Sequence, residues 1–329
     1  MRAVPLLTGR GKAGAAAAVA RKTTRASGPE HNREYWNKVM SDSDRQDNVI
    51  PLRDLGSTGV KVTVLGIGGH AIGTIADSDY AVRLVQAAVD RGVRFLDNAW
   101  CYHQGRSEEL MGRALRHGYR DRVFLMTKNH GRDAQTFARQ LEESLMRLGT
   151  DYVDLLQFHN IVHESDPDDI FSGGAMEAAL HAREQGKVRF IGFTGHHWPH
   201  LFHRMLSYEF PWDTVQMPTN LLDFHHRSFI KEVLPVLSRR RIGVIGMKAL
   251  SGGHILETGV WPGEAIGYAL SLPISTLVLG IDTMEVLTEN VDIVHGWRPL
   301  ADEERDGLLE KVAPWATDGH LERYKLDPE

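Results

Sequence analysis

The strongest constraint on this chain is a rhythm. Eight short runs of apolar and β-branched residues lie at 62–67, 93–97, 123–127, 153–159, 188–194, 214–217, 243–249 and 276–280. They recur at a spacing of about 30 residues, the length of one strand–helix–strand unit. Each of the first seven is followed by room for a helix. The clearest helix is predicted over 80–91, where Ala81, Leu84, Val85 and Ala88 fall at i, i+3, i+4 and i+7 and Gly92 stops the pattern. The segment 136–148 repeats it with Phe137, Leu141, Leu145 and Leu148. Ser107 is expected to cap a helix over 108–116, with Glu108 and Glu109 at its positive end.

Strand–helix alternation implies a parallel sheet with right-handed crossovers. Eight near-equal units in about 250 residues favour an α/β fold of the closed (β/α)8 TIM-barrel type, in one domain, over an open doubly wound sheet. The runs are apolar on successive residues, as strands are when a barrel interior and a ring of helices bury both faces. The stretch 66–73 is rich in glycine, but its third glycine is misplaced for G-x-G-x-x-G. Its glycines are expected to turn the chain tightly at the barrel rim. The expected division is an extension at 1–50, disordered or targeting, a barrel at 51–297 and a helical extension at 298–329.

Charge and cysteine content narrow the function. Residues 1–29 hold six Lys or Arg and no Asp or Glu, so the remaining residues carry −11 against −5 for the whole chain. A barrel this acidic offers no basic stripe for nucleic acid. No run approaches the roughly 18 apolar residues of a membrane helix. Neither partner is expected, and the oligomeric state is left open. Cys101 is the only cysteine, which excludes an internal disulfide and, on the same count, a cysteine-ligated iron–sulfur or zinc centre. The expected location is cytoplasmic. Export or organelle targeting through the basic, Ala-rich start is the alternative.

Barrel enzymes place their chemistry at the C-terminal ends of the strands, drawing residues from several of them. Here those ends carry Asp97 and Tyr102, Lys128, His159, and Gln216. A free phenol has a pKa near ~10, and an ammonium beside it is expected to lower that value. Lys128 can supply the charge, Asp97 can hold Lys128, and His159 can bond a substrate oxygen. An acid over a carbonyl oxygen is what carbonyl reduction needs once a hydride donor sits opposite. Taken singly, each residue has an ordinary reading: a packing tyrosine, a structural ion pair, a satisfied core histidine. Together on three neighbouring strands they point to a site.

The chain resembles the aldo-keto reductase family. The likeness rests on Arg94-Phe95-Leu96-Asp97-Asn98-Ala99 with Tyr102, Gly105 and Ser107-Glu108-Glu109, on Met126-Thr127-Lys128, on Leu148-Gly149-Thr150-Asp151-Tyr152-Val153-Asp154-Leu155-Leu156 ending at His159, on Gln216 with Asn220, and on Leu287-Thr288-Glu289-Asn290. The resemblance implies NAD(P)H-dependent reduction of an aldehyde or ketone by a barrel without a Rossmann domain. It implies a tetrad of Asp97, Tyr102, Lys128 and His159 with Tyr102 the general acid. It further implies Thr194 and Gln216 at the nicotinamide, Met247, Lys248, Ala249, Leu250 and Gly252 around the pyrophosphate, Gly280 and Thr283 near the adenosine phosphate, and Glu289 and Asn290 at the adenine. His70, Trp100, His130 and Trp198 are the expected substrate-pocket residues, with Phe171 as a further wall.

The chain also departs from the family. Thr194-Gly195-His196 stands where Ser-Asn is common, and the basic pair that grips a 2′-phosphate in many members is replaced by Gly280 and Val286. NADP(H) remains the expected cofactor and NAD(H) the alternative. The cysteine-rich C-terminal iron–sulfur segment of some bacterial-type members is absent. Two rival readings are a cofactor-binding sensor or auxiliary subunit on the same fold, and a metal-dependent barrel hydrolase suggested by the many histidines at strand ends. No His-x-His closes the first strand, so no catalytic metal is expected.

Overall fold

The structure is a computed structural model that describes residues 49–326. The extension expected before residue 49 lies outside the described residues. Eight parallel strands close a barrel in the order β10-β3-β4-β5-β6-β7-β8-β9. They are β3 (Leu65–Gly68), β4 (Phe95–Asp97), β5 (Phe124–Asn129), β6 (Val153–Phe158), β7 (Val188–Thr194), β8 (Thr214–Pro218), β9 (Gly243–Met247) and β10 (Thr276–Leu279). A hairpin of β1 (Leu52–Asp54) and β2 (Lys61–Thr63) precedes them, paired antiparallel with Leu52 opposite Thr63.

The run expected at 62–67 as one strand is therefore two. The chain turns at Val64, whose N–H donates to Pro51 O at 2.9 Å, and the Thr63 hydroxyl donates to Leu65 O at 2.8 Å. Leu55 and Val62 of the hairpin pack against Phe95, Phe124, Met126, Leu155, Ile245 and Val278 inside the barrel. The hairpin thus plugs the N-terminal end of the cylinder. Ile50, placed outside the fold by the sequence reading, is buried in the core between barrel and helices.

Helix boundaries follow local chemistry. The helix Ser78–Asp90 begins where the Asp77 carboxylate accepts from the N–H groups of Asp79 and Tyr80, and Gly92 ends the turn at φ 96°. Ala134–Leu148 starts at Asp133 and stops at Gly149, φ 64°. One expectation fails here. Ser107 is no cap: it lies inside the helix Arg106–Ala114, buried, donating to Gly69 O at 2.6 Å. Glu108 lies in the first turn with Glu109, as expected, yet away from water. It is fully buried, accepts from the Thr127 hydroxyl at 2.6 Å and from Arg147, and burial pushes its carboxyl up.

The glycines of 66–73 also act differently from expectation. None has positive φ. They allow close approach: a Cβ at Gly69 would lie 2.8 Å from the Asn98 side chain, and one at Gly73 would overlap the His103 ring. Gly69–Thr74 is itself a short helix. Beyond the barrel the chain forms the helix Asp302–Val312, and residues 319–325 then fold back onto the loops following β7, β8 and β9.

Candidate active site

Along a strand, alternate side chains face the same way. Phe95, Phe124, Met126 and Leu155 point into the barrel. Two residues on from Phe95 is Asp97, and two on from Met126 is Lys128. Gln157 and His159 continue the inner face from Leu155. The last inward layer before the C-terminal mouth is therefore polar, although the strands beneath it are apolar. Thr194 and Gln216 are register partners on β7 and β8 in that layer.

The tetrad expected from sequence comes together. Lys128 is fully buried and forms an ion pair with Asp97. Its ammonium also donates to Asn98 O at 2.9 Å and to the Tyr102 hydroxyl at 3.2 Å. The rings of Tyr102 and His159 meet edge to face with centroids 5.8 Å apart. Burial alone would lower the ammonium of Lys128, but the charge of Asp97 beside it reverses the sign and leaves it raised.

One expectation about this cluster is wrong in direction. The phenol of Tyr102 is not lowered but pushed up to about 12. Burial is the main cause. Lys128 pulls the other way, and Asp97, which compensates the ammonium, adds to the rise.

His159 Nδ1 lies 2.7 Å from His130 Nε2 and 3.7 Å from Cys101 Sγ. Burial holds both rings neutral, His130 at about 4 and His159 well below its ordinary value, with nearby positive groups adding to the effect. Two neutral imidazoles share a single proton across that contact. When His130 Nε2–H donates, His159 keeps its own proton on Nε2, free to donate to a substrate oxygen.

Of the expected pocket residues, His70 sits edge-on to Tyr102 at 5.3 Å, and Trp100 is 6.4 Å from His130. Trp100 is held by Glu143, which accepts its indole N–H at 2.6 Å, and by Arg147, which donates to its carbonyl. Trp198, on the loop after β7, lies under the Arg227 guanidinium at 4.0 Å and beside His200. Phe171 stacks on Tyr208 at 3.9 Å and meets Trp212 edge to face.

The residues expected to meet a cofactor lie at the ends of β7, β8, β9 and β10 and on the helix after β10. Gln216 reaches over the barrel and donates to Asp97 Oδ2 at 2.9 Å, and its amide oxygen is buried without a hydrogen-bond partner among the described residues. Asn160, at φ 47° beside His159, also has a buried, unpartnered amide oxygen. After β9 the backbone leaves Met247 through positive φ at Lys248, Ser251, Gly252 and Gly253, while Ala249 is buried and Leu250 half-buried. Gly280 is exposed at the end of β10. Thr283 caps the helix Met284–His295, which carries exposed Glu289 and buried Asn290.

Sequence reasoning missed the tail. Tyr324 accepts from Asn220 at 2.8 Å, donates to Glu322 at 2.5 Å, and its carbonyl oxygen lies 2.9 Å from His196 Nδ1. Ser251 donates to Leu321 O. Lys325, fully buried, bonds Asp223 at 2.7 Å and Glu322 at 3.0 Å. Glu322 apart, the partners lie 70 to 128 positions upstream, so the short run at 319–325 carries no local signal of its burial.

The Aldo/keto reductase family model matches residues 64–267. The chain belongs to that family, whose members are NAD(P)H-dependent carbonyl oxidoreductases. It is 32% identical over 226 residues to the L-galactose dehydrogenase of Arabidopsis thaliana, covering 64% of this chain and 68% of that one. With an aldo-keto reductase of Bacillus subtilis it shares 31% over 216 residues, covering 60% and 62%. The matches thus span 62% to 68% of those relatives' own length. An aldo-keto reductase structure from Bacillus halodurans, in its holo form, superposes with TM-score 0.69 at 22% identity, covering 83% of this chain and 99% of that one. That likeness shows the shared barrel.

Proposed function

We propose that this chain reduces an aldehyde or ketone to an alcohol with a nicotinamide cofactor, NADPH ahead of NADH. Tyr102 is the proton donor. The observation that carries the reading is the Tyr102–Lys128–Asp97 cluster at the barrel mouth, with His159 beside it. The cofactor, when bound, supplies hydride to the carbonyl carbon. Tyr102 gives its proton to the carbonyl oxygen, and the Lys128 ammonium at 3.2 Å stabilises the phenolate left behind. Asp97 keeps Lys128 charged and fixed. His159 donates to the same oxygen from Nε2, oriented by His130.

The residues present suit the cofactor. A carboxamide offers both N–H and C=O groups, and the unpartnered amide oxygens of Gln216 and Asn160 can accept its N–H. The open glycines Gly252 and Gly253 let backbone N–H groups approach phosphate. Met247, Lys248, Ala249, Leu250, Thr194, Gly280, Thr283, Glu289 and Asn290 complete the proposed contacts. The imidazole-rich mouth, with His70, Trp100 and His130, favours a hydroxylated carbonyl compound, and a relative named for L-galactose fits that class. Among the described residues no helix is long and apolar enough to cross a membrane. A cytoplasmic setting, with its nicotinamide pool, is the location this reading calls for.

The test is steady-state oxidation of NADPH and NADH over a panel of aldoses, aldehydes and ketones. Turnover of at least one class with NADPH is expected. Cofactor binding with no turnover across the panel would instead support the sensor reading.

Cofactor choice has its own test. Gly280 is exposed and a Cβ there meets only the Ala71 methyl, at 3.4 Å, so a longer side chain fits. Val286 lies in the first turn of the helix capped by Thr283. Introducing Gly280→Lys with Val286→Arg should raise the NADPH-over-NADH ratio of kcat/KM by about tenfold, through charge-assisted contacts to a 2′-phosphate. An unchanged ratio would remove this loop from the phosphate site.

A further inference from the structure

We infer that the mouth of this barrel holds a zinc site, made by Cys101, His130 and His159, whose occupation switches turnover off. Counting cysteines excluded a cysteine-ligated zinc centre, but one thiolate completed by two imidazoles escapes that count. The donors come from three neighbouring places: the loop after β4 and the ends of β5 and β6. Their ligand atoms all lie within 4.8 Å of one another.

The distances suit a tetrahedral ion. With Zn–N of about 2.0–2.1 Å and Zn–S of about 2.3 Å, nitrogen and sulfur donors stand roughly 3.6 Å apart and two nitrogens roughly 3.3 Å. Cys101 Sγ to His159 Nδ1 is already 3.7 Å. His159 Nδ1 to His130 Nε2 is 2.7 Å and must open by about 0.6 Å. Nitrogen with thiolate is a donor set that zinc favours over magnesium or calcium.

Charge does not forbid the site. The two cations nearby are each paired, Lys128 with Asp97 and Arg132 with Asp166 at 2.8 Å. On binding, the thiol proton leaves to solvent, the thiolate takes its place on the metal, and the imidazole proton of the His130–His159 contact moves to His130 Nδ1. Cys101 is only partly buried, which gives the ion a way in.

Occupation engages the imidazole proposed to orient the carbonyl and adds positive charge beside it. The binding stands on its own geometry, whereas its effect on turnover rests on the role proposed for His159. The two therefore have separate readouts.

The binding test uses Co²⁺ as a chromophoric stand-in. Because Cys101 is the chain's only cysteine, a thiolate-to-cobalt charge-transfer band can come from nowhere else. We expect that band in the wild-type protein, its loss in Cys101→Ser, its weakening in His130→Asn, and its displacement by one equivalent of Zn²⁺. No band, or a band indifferent to His130→Asn, overturns the site. The functional test compares turnover with and without Zn²⁺ within each protein. Inhibition should be reversed by a chelator, with the inhibiting Zn²⁺ concentration at least tenfold higher in Cys101→Ser. Equal inhibition of the two proteins overturns the switch even where the cobalt band supports binding. If no protein turns over any carbonyl, the proposed activity fails and the cobalt result still decides the site.

Discussion

Replacing Tyr102 by phenylalanine should lower carbonyl turnover by about 10²–10⁴-fold, the range a positioned general acid supplies. Cofactor affinity should stay near that of the wild type. Only the hydroxyl is removed. The ring keeps its edge-on contacts with His70 and His159, so the mouth keeps its shape. The lost group is the hydroxyl 3.2 Å from the Lys128 ammonium. Because burial pushes this phenol up to about 12, it is a loaded proton donor throughout the neutral and mildly alkaline range. The deficit of Tyr102→Phe should accordingly be constant across that range rather than appear at one pH. Single-turnover rates with saturating NADPH, at several pH values, measure it. A variant within a few-fold of wild type would show that another group donates the proton.

The second large effect should come from the tail, in Lys325→Ala. Lys325 is fully buried and bonds two carboxylates, Asp223 and Glu322, which are themselves buried. Removing the cation leaves two like charges facing each other away from water. Breaking a buried pair in this way costs about 3–5 kcal/mol.

The sign of its pH dependence follows from Asp223. Burial, with Glu322 adding to it, raises this carboxyl to about 6 against an ordinary 3.8, even with Lys325 pulling it down. A raised carboxyl contributes stability below its unfolded value and loses it as pH rises through the folded value. Without Lys325 the carboxyl rises further. The variant's deficit should therefore be largest at pH above that range and shrink on acidification, as Asp223 takes up a proton. Denaturant midpoints of the wild type, Lys325→Ala and Lys325→Ala with Asp223→Asn, at two pH values, test it. The double variant should recover much of the loss. A single variant as stable as wild type at neutral pH would mean that the triad is not held as described. Because Asp223 also accepts from the N–H groups that open the helix Phe229–Glu232, the loop after β8 should loosen with the tail.

Much of this molecule is legible in its residues, for reasons that differ between parts. The barrel strands could be read because burial on both faces writes continuous apolar runs. Two helix starts were placed two residues late, because apolar periodicity does not register the capping carboxylates of Asp77 and Asp133. Ser107 was misread because a buried hydroxyl looks, in one dimension, like a helix cap, and the burial of Glu108 in the first turn left no mark beside it. Their partners, Gly69, Thr127 and Arg147, come from other elements.

The four groups could be brought together from sequence because the rhythm orders the strands and a closed barrel gathers their C-terminal ends at one mouth. Sequence alone thus sufficed for the barrel and for placing Asp97, Tyr102, Lys128, His159 and Gln216 at its strand ends. Tertiary structure settled what lies between strands: the reach of Gln216 to Asp97, the contact of His130 with His159 and Cys101, the raised phenol of Tyr102, and the tail locked by Lys325. Each of these depends on how far one strand is offset from the next and on how much water the closed cylinder excludes. Neighbours in the chain carry neither quantity.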